Sequence, residues 1–395
     1  MTEAKTIAAP LGEKKRDYAQ DIAKGIGILL VVFVHIVDYP KWYEIIMAIT
    51  GVWLMPFFFT LSGYYYHPGA RKPSESIRRR AVQLMKPYFI YSGCIWLLTT
   101  IYNLITTTAN LGFWTALWEN VKQYLTFLFS RNSLVLVGLA EKGMGTPIAD
   151  GIGFTGLVMP FWFIMMMFMA DIIFFLVADF ALAKMKRFIS VTSGLILLTF
   201  LLNVLVEAIG FGLPWNIQNV PMATALMLFG AMFGQNKLLS KEFTKPKWMV
   251  INSFAILGII ALIQWQFPGA GSFSAGVFIY FGAVEVFPTV LLGVISPFMV
   301  VSFSRLIEKI PVLNKALIWV GFRTLPILLV HMFISKFIGL FTGIDAKMMM
   351  GKGVEKGAMF GESCLNLLIT VAIIVLYRIF WEFILKKIHS KKKAA

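Results

Sequence analysis

Ten stretches of nearly continuous apolar residues run along the chain, at 22–40, 42–66, 87–107, 159–182, 190–209, 217–235, 248–266, 278–303, 317–341 and 363–385. None has the alternating pattern of a barrel strand, and each approaches the roughly 20 residues that a helix needs to cross a bilayer. The pattern predicts an all-α polytopic membrane protein with about ten transmembrane helices. An even count puts both ends on one side. If the N-terminus is cytoplasmic, 25 Lys and Arg fall in inner segments and seven in outer loops. This asymmetry matches the positive-inside rule and predicts cytoplasmic N- and C-termini. Residues 1–21 are then an N-terminal arm, 22–385 the transmembrane domain and 386–395 a basic cytoplasmic tail. Residues 113–129 read as an outward-facing interfacial helix, followed by a Gly-rich loop. A crossing at 121–140 would bury Arg131 and reverse the charge asymmetry of every later loop.

Composition narrows the class further. Of the 395 residues 58% are hydrophobic and only 14% are charged, with a mean hydropathy of +0.76. A compact soluble enzyme cannot hide this much apolar surface, and a disordered chain would not carry it. The net charge of +16 belongs to membrane-flanking loops and anionic lipid, so nucleic acid is not an expected partner. Cys94 and Cys364 sit in apolar runs and read as core packing. They offer neither a disulfide framework nor metal-ligand spacing, and no metal site is expected. No cleavable signal, appended soluble domain or internal repeat is expected.

Ionisable groups inside spans are costly and mark function by default. Lys24 and His35 are eleven residues apart in the first span. That is three turns plus roughly 20°, so both lie on one stripe about 16 Å apart along the axis. Asp38 is within one turn of His35, and Asp21 within one turn of Lys24. Gly25 and Gly27 leave room for a close neighbour, helix or ligand. His35 reads either as a general base or as a polar tie between helices. His331, in the ninth span, reaches a similar depth and either lines the same cavity or bonds a neighbouring helix. Pro326 is placed to kink that helix. Asp171 and Glu207 read as paired polar contacts or as a second acid, and His67 and His389 as surface residues. The loop after the second span carries Arg71, Lys72, Arg78, Arg79, Arg80 and Lys86. It suits either anionic lipid or a clamp on a phosphate-rich donor.

Five segments together resemble the acyltransferase 3 family of membrane-bound O-acyltransferases, in particular its fucose 4-O-acetylase-like branch. They are Lys24 with His35 after a ten-residue gap, Pro56-Phe57-Phe58-Phe59-Thr60-Leu61-Ser62-Gly63-Tyr64, the basic loop ending Lys86-Pro87-Tyr88, Pro160-Phe161-Trp162-Phe163-Ile164, and Leu325-Pro326-Ile327 running to His331. Two positions depart from the family pattern. Lysine stands at 24 where many members have arginine, and the family's Arg-x-x-Arg is Arg80-Ala81-Val82-Gln83.

The resemblance implies transfer of an acyl group, usually acetyl from acetyl-CoA, to a sugar hydroxyl of a surface polysaccharide or lipid-linked glycan. It implies a multi-pass protein of the bacterial cytoplasmic membrane and no bound cofactor, acyl-CoA being a co-substrate. His35 would be the base and Asp38 would orient it. Lys24, Arg78, Arg79 and Arg80 would hold the donor. His331, Ser62, Tyr64, Trp162 and Asp171 would stand in a supporting or acceptor-facing layer, with Ser62 expected to satisfy its own helix backbone. A transporter, a flippase or an acyl-group channel without transferase activity would use the same polar residues as a path.

Overall fold

In the computed structural model the described residues are 17–36, 40–136, 154–209, 213–266, 283–342, 365–377 and 379–380. Among them every regular element is a helix, as a chain that must satisfy its own peptide groups in lipid requires. The α-helices are α1 (Ala19–Ile36), α2 (Pro40–Tyr64), α3 (Pro73–Arg80), α4 (Lys86–Leu111), α5 (Phe113–Leu136), α6 (Phe154–Leu157), α7 (Trp162–Leu182), α8 (Met185–Ile209), α9 (Val220–Gln235), α10 (Pro246–Gln266), α11 (Val286–Ile307), α12 (Pro311–Gly321), α13 (Thr324–Thr342) and α14 (Leu365–Tyr377). A single π-helical turn, Ala81–Met85, joins α3 to α4.

The described residues of each of the ten apolar stretches are largely helical. Six described runs are long and apolar enough to cross a membrane: α1, Pro73–Leu111, α7, α8, Pro214–Gln235 and α11. The stretch at 317–341 is not one helix kinked at Pro326, as expected. It is α12 and α13, bent by 86° at Phe322–Arg323. Pro326 therefore lies in the first turn of α13, where its missing N–H costs no helical bond, rather than kinking a continuous helix.

The centre of the bundle is α1, α2, α9 and α11, while α8 keeps most of its surface outward. Glycines set how near the central helices come. A Cβ at Gly63 would overlap the Met227 carbonyl, and Cβ atoms at Gly230 and Gly234 would overlap the Thr60 and Tyr64 carbonyls. α2 and α9 thus meet backbone to backbone, as small residues permit in membranes. α1 and α12 do the same through Gly25 and Gly321. Gly27 faces the rings of Phe57 and Phe58, so both α1 glycines serve helix packing rather than a ligand. α5 buries Asn120, Gln123 and Thr126 and leaves Trp114 and Trp118 exposed. Cys94, expected in the core, is exposed on α4.

Candidate active site

Lys24, Ile28 and Val31 recur at helical spacing on one face of α1, and all three line a cavity of about 770 Å³. α2 contributes Met55, Phe58 and Ser62, α7 contributes Phe163, Met167 and Asp171, and α13 contributes Leu325 and Leu328. The inner end is apolar. The mouth carries Lys24, Arg71, Arg79 and Arg80 beside His67, with Asp171 the carboxylate in the lining. Such a gradient favours a ligand with an anionic head and an apolar or neutral tail.

The lining stops at Val31 and Leu328. One turn beyond, the next residue on the α1 stripe is His35, and it meets His331 of α13. Nε2 of His331 lies 3.3 Å from Nδ1 of His35, with ring centroids 5.2 Å apart. His35 Nδ1 is also 2.9 Å from the Val31 carbonyl, and His331 Nδ1 is 2.9 Å from the Leu328 carbonyl and 3.1 Å from that of Ile327. A carbonyl only accepts, so each neutral ring carries its proton on Nδ1 and its lone pair on Nε2. The His331 lone pair faces the His35 Nδ1–H, and the His35 lone pair has no partner among the described residues. His331 is fully buried and His35 half-buried. Asp38, expected to orient the ring, lies outside the described residues.

The cations at the mouth differ in how they are held. Lys24 pairs with Asp21 at 2.7 Å and lies over the Tyr65 ring, 5.1 Å from its centroid. Arg79 pairs with Glu75 at 2.7 Å, both exposed. Arg80 donates from Nε to Asp171 Oδ2 at 2.9 Å, and from Nη2 to Asp171 Oδ1 at 3.3 Å and to Ser62 Oγ at 2.8 Å. Asp171 is thus a paired contact, and Ser62 serves Arg80 instead of its own helix. Arg78, which is exposed, and Tyr64 and Trp162, which are half-buried, lie outside the cavity lining. Trp162 packs edge-on against Phe163.

Sequence reasoning passed over Tyr65 and Tyr66, which line the cavity together with Arg71 of the basic loop, with His67, read above as a surface residue, and with Gln83. Gln83 occupies the second position of the expected Arg-x-x-Arg, within the π-helical turn. The loop that presents His67 and Arg71 is pinned to α7. The Tyr66 hydroxyl donates to Asp179 at 2.7 Å and the Gly69 N–H to the same oxygen at 3.0 Å. The adjacent tyrosines at 64–66 were a signal, but only the loop geometry selects the last two. Glu207, read as either an acid or a contact, accepts from the Ala283 N–H at 2.7 Å.

Residues 17–385 match the model of a family described as an acyltransferase domain. The chain belongs to the acyltransferase 3 family. A stretch of 100 residues is 30% identical to the nodulation protein NolL of Mesorhizobium japonicum, covering 23% of this chain and 27% of that protein. No solved structure matches the chain. The matched domain is an acyltransferase domain, and the several long apolar helices make this family member a multi-pass membrane protein with lipid around it.

Proposed function

We propose that this acyltransferase moves an acyl group, acetyl foremost, from acyl-CoA to a sugar hydroxyl of a cell-surface polysaccharide or lipid-linked glycan, in the bacterial cytoplasmic membrane. One observation carries the reading: a histidine pair, in which His35 Nε2 has no hydrogen-bond partner among the described residues, stands one turn beyond a cavity whose mouth is cationic. Guanidinium and ammonium groups at the mouth suit the phosphates of CoA. The apolar inner end suits the thin pantetheine arm and its thioester.

His35 Nε2 takes the proton of the acceptor hydroxyl as its oxygen attacks the thioester carbonyl. The new C–O bond forms, the carbonyl electrons move to oxygen, and they return as the C–S bond breaks. The imidazolium then gives its proton to the leaving sulfur, so the products are the ester and free CoA thiol. While His35 is cationic, its Nδ1–H is shared between the Val31 carbonyl and the lone pair of His331. That charge-assisted bond steadies the ion.

The test is His35→Ala in cells that make the glycan, with membrane insertion checked by detergent extraction and gel filtration. Covalent transfer from labelled acetyl-CoA to glycan is expected to fall by about 10²-fold or more, the contribution of a general base. Wild-type glycan acetylation in that variant would overturn the role of His35. Acetyl uptake without any glycan ester in the wild type would point to a carrier.

A further inference from the structure

We infer that Asp171 is a positioning residue for the donor: with Ser62 it grips one edge of Arg80, so that the opposite edge of the guanidinium is presented to a phosphate group at the cavity mouth. This rests on the acyl-CoA reading above.

Asp171 lies inside an apolar helix, where an ionised carboxylate is costly unless it is paired. Its partner comes from α3, 91 positions away in sequence. The pairing is side-on. It uses the Nε–H, while both Nη2 hydrogens go to Asp171 Oδ1 and Ser62 Oγ. The Nη1 hydrogens remain uncommitted among the described residues. The side chains divide in the same way, with Asp171 3% exposed and Arg80 28% exposed. The held edge is therefore inside the wall and the open edge is toward the cavity. Arg71 and Arg79 line the same mouth, so an anion reaching Nη1 meets further positive charge. A fixed guanidinium loses little freedom on binding, which a loose surface arginine does not match. The pair also docks α3 onto α7, placing the π-helical turn and Gln83 at the cavity.

The experiment compares two donors in membranes containing the full-length protein and its native glycan, reading release of free thiol. Acetyl-CoA carries the phosphates; acetyl-pantetheine has the same thioester without them. In Asp171→Asn, KM for acetyl-CoA is expected to rise on the order of ten-fold, the loss of one well-placed charge-assisted bond. Its kcat should stay near wild type, and KM for acetyl-pantetheine should not change. Arg80→Ala should show the same donor-selective loss, and the double variant should be no worse than Arg80→Ala. Ser62→Ala, which keeps the ion pair, should give a smaller rise confined to acetyl-CoA, and it serves if Asp171→Asn fails to insert. Equal losses with both donors, or an unchanged KM for acetyl-CoA, overturn the inference. A wild-type protein that releases thiol from neither donor overturns the acyl-CoA reading itself, and this inference with it.

Discussion

Two arginines of this protein each join distant helices through a carboxylate, and they are held very differently. Arg305 of α11 donates from Nε to Thr244 Oγ1, from Nη1 to Asp17 and Glu308, and from Nη2 to Asp17 at 2.6 Å and to the Leu239 carbonyl. Every N–H of that guanidinium has an acceptor, and the side chain is 7% exposed. Asp17 also accepts from the Ala19 N–H at the start of α1, and Gln20 reaches the Leu239 carbonyl as well. Arg305 is a rivet that closes α1 onto α11 and the segment after α9. Arg80 has only its inner edge bonded, and it lines a cavity. A saturated arginine holds a fold together, whereas a half-saturated one in a cavity wall has bonding capacity left for a ligand.

The largest expected effect separates them directly. Arg305→Met should cost about 3 kcal/mol or more, because it strands buried acceptors and a carboxylate together. The readout is the thermal midpoint of the purified protein in detergent. Arg80→Met should cost clearly less stability and far more donor affinity; equal stability losses would erase the distinction. A smaller effect follows from pH. Burial works to raise the Asp17 pKa, but Arg305 and the Ala19 N–H outweigh it, and the carboxyl sits below its ordinary 3.8. The stabilisation is therefore present above 3.8 and is lost as pH falls through the lower folded value. Wild type should be more stable than Asp17→Asn at neutral pH, and the gap should close in strong acid. A gap that widened in acid would contradict the pairing. The smallest effect belongs to the exposed Arg79–Glu75 pair. Glu75→Gln should shift stability by no more than about 0.5 kcal/mol, since water screens such pairs.

Much of this was legible in the sequence because it follows from one helix at a time. Helix positions follow from apolar length. The stripe of Lys24, Ile28, Val31 and His35 follows from helical geometry, and the equal depth of His35 and His331 from counting along two spans that run the same way. What was not legible depends on contacts between distant helices. Nothing around Asp171 names Arg80 as its partner, and nothing in Ser62 says that its oxygen turns outward from α2 to reach it. The elbow at Phe322–Arg323 falls within an apolar run whose visible breaker, Pro326, lies further on. The placement of Tyr65 and Tyr66 needs Asp179, a residue that no local pattern ties to them.

The glycine seam between α2 and α9 has a consequence for the chemistry. With Gly63, Gly230 and Gly234 leaving no side chain between the two main chains, α2 can neither roll nor slip past its neighbour without driving one peptide group into another. The row that α2 turns inward, Met55, Phe58 and Ser62, is therefore a stencil of fixed outline. A methyl group added at Gly230, on a helix that touches no reacting atom, would tilt that stencil and blur every distance drawn against it.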